Sequence, residues 1–99
     1  MIVFWTPEAE QDRTDIWDYI AADNLYAAVR MDEIFGRAAA KLAEHPSLGK
    51  PGKISGTREM VLHEHYRLIY ETSADIVWIL ALVHTSRKWP TARESTPPP

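Results

Sequence analysis

The chain has 99 residues, enough for one domain with a modest core, and its 45% hydrophobic content, 25% charged content and four tryptophans are those of a globular protein rather than a disordered one. It contains no cysteine, which excludes disulfides, iron–sulfur clusters, cysteine-ligated zinc and thiol nucleophiles. The net charge of −3 is divided into nine acidic and four basic residues over 1–49 and five acidic and seven basic over 50–99, so a general polyanion binder is disfavoured while a basic patch in the second half stays open.

Ile2-Val3-Phe4-Trp5 is a run of β-formers that reads as a buried strand. Thr6 and Pro7 stop it and supply the N-cap and first position of a helix, and Glu8, Glu10 and Asp12 suit the positive end of that helix's dipole. Ala9, Ile16 and Ile20, with Trp17 and Tyr19 beside them, give an apolar stripe at helical spacing. Asp23-Asn24 interrupts the period, which resumes from Leu25 to Leu42 with Ala28, Met31, Phe35, Ala38, Ala39 and Leu42 on one face. His45-Pro46 ends the second helix, and the short link predicts an antiparallel helical hairpin. Residues 47–53, with two glycines, two lysines and a proline, read as a loop. Strands follow at Arg58–His63, Tyr66–Thr72 and Ile76–Val83, joined so tightly that they must be antiparallel. The last is apolar throughout, as a central strand covered on both faces would be, and at eight residues it falls far short of the roughly 18 that a membrane span needs. Thr91–Pro99 is polar, ends in three prolines and is expected to be disordered. The order is β-α-α-β-β-β, an α+β arrangement with the hairpin packed on one face of an antiparallel sheet and Trp17, Phe35, Leu42 and Leu80 in the core. The N-terminal residues lack the features of a signal peptide, so a cytoplasmic location is expected.

Arg67 lies within the apolar run Tyr66-Arg67-Leu68-Ile69-Tyr70, where its charge requires solvent, a carboxylate or a phosphate. One reading is an ion pair with Glu59 or Glu71 on the open face. The other is convergence of Arg58, Arg67, His63, His84 and Arg87 on the face away from the helices. That set could support phosphodiester transfer from an RNA 2′-hydroxyl, which requires a base, an acid and an arginine for the phosphate charge, although the sequence identifies no residue as the base. His63 and His65 would share a face but lack a third ligand, so neither a metal nor another cofactor is expected. Trp89-Pro90 reads either as an aromatic lid over the sheet or as an exposed recognition element.

Several segments, in this order, resemble the RelE/ParE superfamily of bacterial type II toxin–antitoxin toxins. They are Phe4-Trp5-Thr6-Pro7-Glu8-Ala9, Asp15-Ile16-Trp17-Asp18-Tyr19-Ile20, Leu42-Ala43-Glu44-His45-Pro46-Ser47-Leu48-Gly49, Gly56-Thr57-Arg58-Glu59, Tyr66-Arg67-Leu68-Ile69-Tyr70 and Leu82-Val83-His84 running into Arg87-Lys88-Trp89-Pro90. The resemblance spans residues 2–90 and implies a growth-inhibiting toxin neutralised by a cognate antitoxin. In the RelE-like branch, which cuts mRNA on the ribosome, it assigns the strand arginine to Arg67, the basic group after the last strand to Arg87 or Lys88, and catalytic histidines to His63 and His84. Arg58, Arg87, Lys88, Trp89, Lys50 and Lys53 are the target-binding candidates, the two lysines standing for loop lysines. The acidic balance, the long hairpin, the Arg-Lys-Trp-Pro ending and a tryptophan near the place of a C-terminal tyrosine bring the chain nearer the ParE-like branch. The expected target is therefore DNA gyrase, inhibited without catalysis, with the mRNA endoribonuclease as the alternative.

Overall fold

Strand β1 (Ile2–Trp5) passes through Thr6 into helix α1 (Pro7–Ala21). Thr6 caps the helix as its sequence predicts: the hydroxyl oxygen accepts the Ala9 amide at 3.2 Å and donates to the Ile79 carbonyl at 2.8 Å, tying the helix start to the sheet. Asn24 caps helix α2 (Leu25–Glu44) in the same way, its side-chain oxygen accepting the Ala27 amide at 3.1 Å. A charge fork holds the hairpin together. Arg13 on α1 donates to both carboxylate oxygens of Asp32 on α2, at 2.6 and 3.0 Å, and its guanidinium lies 4.7 Å over the Trp5 ring. The computed structural model describes residues 1–87, 89 and 90, so the expected disordered tail lies outside the described residues.

Four further strands complete the sheet: β2 (Lys50–Pro51), β3 (Arg58–His63), β4 (Tyr66–Ser73) and β5 (Ile76–His84), in the spatial order β1-β5-β4-β3-β2. Two expectations are corrected here. The sheet is mixed rather than wholly antiparallel, because β1 pairs parallel to β5 in the register Ile2↔Ile76 to Trp5↔Ile79. Parallel strands need a long crossover, and everything between β1 and β5 supplies it, a relation that local periodicity does not encode. The segment read as a loop also contributes β2, which pairs with β3 at Lys50↔Glu59 and Pro51↔Arg58. Its proline is tolerated because β2 is an edge strand and needs no second ladder of amides.

Strand β1 is not buried as expected, since its residues alternate and Ile2 and Phe4 face solvent. Tyr66, Leu68 and Tyr70 of β4 share the helix-facing side with Val77, Ile79 and Leu82 of β5, and Phe35 and Leu42 of α2 close that core. Phe35 meets Tyr66 edge-on with ring centroids 5.9 Å apart. A β-bulge between β4 and β5 sets Ile69 against Ala81 and Tyr70 against Ile79, leaving Leu80 as the extra residue. The bulge reverses the facing of the rest of β5, so Ala81 and Val83 join Ile69 in a second cluster on the opposite face, with Leu80 and Trp89 packed against it. Leu80 is therefore half-buried, and Trp17 on α1, lining a recess with Trp5, Arg13 and Asp32, is half-buried too, in place of the core positions expected for them.

Candidate functional site

Arg67 is engaged within the protein. Its Nε lies 3.1 Å from Glu59 Oε1, and both side chains are only 15% exposed. The contact is a charge pair outside hydrogen-bond geometry, leaving the buried Nε–H without a directed acceptor. Nη1 reaches the Thr85 carbonyl at 3.4 Å. Of the two readings of this arginine, the structure has the ion pair. Glu59 sits on β3 two positions from Val61, the residue directly across from Arg67, so the pair spans the sheet diagonally.

The other sequence-selected residues do not converge with it on one open face. Arg58 lies at the opposite end of β3 from His63 and donates to the Gly49 and Ser47 carbonyls at 2.6 and 3.4 Å, clamping the segment that leads into β2. Lys50 and Lys53 are exposed at that same remote end, where the Lys53 amide lies 3.4 Å from Glu59 Oε2. His84 stands opposite Tyr66 on the helix-facing side, whereas Arg67 pairs across to Val83 on the other side. The structure thus corrects the expected set by dividing it between two faces and two ends of the sheet. Lys88 lies outside the described residues.

Three histidines gather at the β3–β4 turn and the end of β5. The His65 ring stacks on His84 at 5.7 Å, and His63 lies 5.4 Å from His65. His63 Nδ1 accepts the His65 amide at 3.3 Å, and His84 Nδ1 accepts the Ser86 amide at 3.2 Å and lies 2.7 Å from the Ser86 hydroxyl. These contacts serve the local turns. Among the described residues no group of three or more His, Cys, Asp or Glu is placed to hold a metal ion. Trp89 packs on the Ile69, Ala81 and Val83 cluster, the lid arrangement considered for it.

Beside this end of the sheet lies a cleft of about 1150 Å³ between α1 and the distal half of β5. Glu8, Asp12 and Asp15 line its helical wall, with Ile16, Tyr19 and Ile20 further along the same helix. His65, His84, Arg87 and Trp89 line the opposite side. The Asp12 carboxylate accepts the Leu82 amide at 3.1 Å, tying α1 to β5 just beyond the bulge. Burial raises the Tyr66 phenol above its ordinary value, and the neighbouring Tyr19 phenol adds to the shift. The sequence places Asp12 at the helix dipole, Ile16 on the apolar stripe of the helix and Tyr19 beside that stripe. The missed signal was length, for a four-residue first strand cannot cover a nine-residue last one.

Comparison with known proteins agrees with this architecture. Residues 3–89 match the family model described as ParE toxin of type II toxin-antitoxin system, parDE. The chain is 39% identical over 87 residues to the Y4kP protein of Sinorhizobium fredii, covering 87% of this chain and 90% of that one. It is 35% identical over 85 residues to toxin RelE2 of Caulobacter vibrioides, covering 86% and 96% respectively. Among solved structures, the fold is similar to a chain of the chromosomal ParDE system of P. aeruginosa, with a TM-score of 0.74 at 19% identity over 85% of this chain and 95% of that one. It is also similar to a YoeB/ParE toxin from Agrobacterium tumefaciens, with a TM-score of 0.62 at 15% identity over 85% and 98%.

Proposed function

The chain belongs to the ParE toxin family of type II toxin–antitoxin systems, and from that membership we propose that it arrests growth by inhibiting DNA gyrase through a protein–protein contact, released only when its cognate antitoxin is lost. The observation that carries the choice of target is the Arg67–Glu59 pair. A ribonuclease of this fold needs the strand arginine to neutralise a phosphate in the transition state. Here a carboxylate already neutralises it in a site closed to most solvent, and freeing it would leave Glu59 charged and unpaired. The cleft beside His84 and Arg87 is a poor seat for RNA as well, because three carboxylates face it from α1. Both targets belong to the cytoplasm, where the toxin would act.

The alternative is a ribosome-dependent mRNA endoribonuclease, and the likeness to toxin RelE2 is what favours it. A paired substitution, Arg67→Met with Glu59→Leu, separates the two by replacing the ion pair with apolar volume. Under gyrase inhibition the variant keeps its toxicity on induction and messages stay intact. Loss of toxicity in a folded variant, with codon-positioned mRNA ends generated by the unsubstituted toxin, supports the ribonuclease.

A further inference from the structure

Strand β1 is the outermost strand of the sheet, and among the described residues no strand lies beyond it. The phase of its ladder fixes what that free edge offers. The Ile2 and Thr6 amides donate inward, to the Asp75 carbonyl at 2.9 Å and the Ile79 carbonyl at 3.0 Å. In a parallel pair alternate residues serve the same neighbour, so Val3 and Trp5 turn their N–H and C=O groups outward. Their side chains pack toward the helices, which leaves Ile2 and Phe4, 69% and 46% exposed, on the opposite face of the sheet. There Phe4 meets Trp78 of β5 edge-on, with ring centroids 5.1 Å apart. An open strand edge flanked by exposed apolar side chains is a template for another strand.

The pattern is complementary to itself. Val3 and Trp5 stand on either side of Phe4, each with one donor and one acceptor, so half a turn about Phe4 sets every donor against an acceptor. Ile2-Val3-Phe4-Trp5 carries no charge that would repel its own copy or select a foreign segment. We propose that this edge is an interface between two copies of the chain, joined antiparallel about a two-fold axis at Phe4. Val3 of each copy pairs with Trp5 of the other, which satisfies all the outward donors and acceptors. The two Phe4 side chains oppose each other across the axis, with a Trp78 ring behind each. Neighbouring registers lose donors. Centring on Trp5 sets Val3 against Pro7, which has no amide, and centring on Val3 sets Trp5 against Met1, whose nitrogen is spent on the Ala43 carbonyl at 2.9 Å. The contact is isologous and uses strands of only four residues, so the pair forms reversibly with concentration. It goes beyond the toxin reading and does not depend on it.

The chain has no cysteine, so a single introduced thiol reports the geometry. In the purified full chain under mild air oxidation, Phe4→Cys should form a disulfide-linked dimer about tenfold faster or more than Val61→Cys. Val61 is the more exposed of the two positions at 63%, but it lies on β3, on the far side of β5 and β4 from the axis. Sedimentation of the unsubstituted chain should pass from monomer toward dimer as its concentration rises to about 1 mM. Phe4→Lys, which brings two ammonium groups together on the axis, should abolish that shift. Amide exchange at Val3 and Trp5 should slow with concentration, while the inward-bonded Thr6 amide stays protected throughout and reports that each variant is folded. The inference is overturned by a chain that stays monomeric over that range, by equal cross-linking of the two thiols, or by a dimer that survives Phe4→Lys. Val3 and Trp5 amides protected at every dilution would overturn it too, because another segment of the same chain would then cover the edge.

Discussion

Arg67 and Glu59 show how one side chain can be a functional candidate by sequence and a structural element by position. A strand arginine surrounded by apolar residues has to find an anion, and the diagonal neighbour on β3 supplies it at 3.1 Å. Removing one partner strands the other in a site that is only 15% exposed, so Glu59→Ala should cost about 3 kcal/mol in chemical denaturation. Replacing both partners by apolar residues should recover most of that loss. Tyr66 gives a pH-dependent counterpart. Its phenol is raised above the ordinary 10.0 by burial and by Tyr19, so the folded chain holds this proton at pH values where the unfolded chain has released it. The contribution is complete below pH 10, falls as pH rises toward the raised value, and is lost beyond it. Denaturation at stepped alkaline pH should show a steeper decline for the native chain than for Tyr66→Phe. The sequence made the pairing of Arg67 one of two open readings and could not choose between them, because a diagonal contact depends on strand register. Tyr66's shift was not legible at all, since it depends on how α1 overhangs the sheet.

Elements were read more securely than their partners. Thr6-Pro7 begins the first helix where capping chemistry puts it, the Asp23-Asn24 interruption falls between the helices, and β3 to β5 match their predicted strands to within a residue. What local pattern could not show was the parallel pairing of β1 with a strand some 74 residues on, the two-residue β2, and the bulge at Leu80, because strand register is set by pairing partners rather than by the periodicity of one segment. The β2 connection illustrates the physics. The Tyr70 hydroxyl is buried, donates to the Pro46 carbonyl at 2.7 Å and accepts the Gly49 amide at 2.9 Å, while Arg58 takes the Gly49 carbonyl. A Cβ on Gly49 would stand 2.8 Å from both the Glu59 carbonyl oxygen and Tyr70 Cε1, so the glycine is required by close approach. Gly49→Ala should destabilise the chain by about 1–3 kcal/mol, because overpacking forces the turn off Tyr70. Thermal or denaturant unfolding checks it, and an unchanged midpoint would mean that the turn gives way without loss.

Across the whole molecule, the acidic half folds into the helical hairpin and the more basic half into β2 to β5, so the charge split read from the chain becomes a division between layers. The family was legible before the structure because the order of six short segments carried it, although none of them marks a catalytic centre. The candidate site was less legible. Arg58 and the two lysines serve or flank the β2 end, the histidines gather at the far end, and the cleft beside them has for its helical wall residues that read as an apolar stripe or dipole partners. On the gyrase reading proposed above, the surface contacts its target through shape and charge and has no phosphate to cradle. The most direct measurement is DNA supercoiling by purified gyrase titrated with the purified toxin. Inhibition in proportion to toxin, relieved by the antitoxin, is the predicted result. Undiminished supercoiling at toxin concentrations that arrest growth, with messages cut at ribosome-positioned codons, would contradict it.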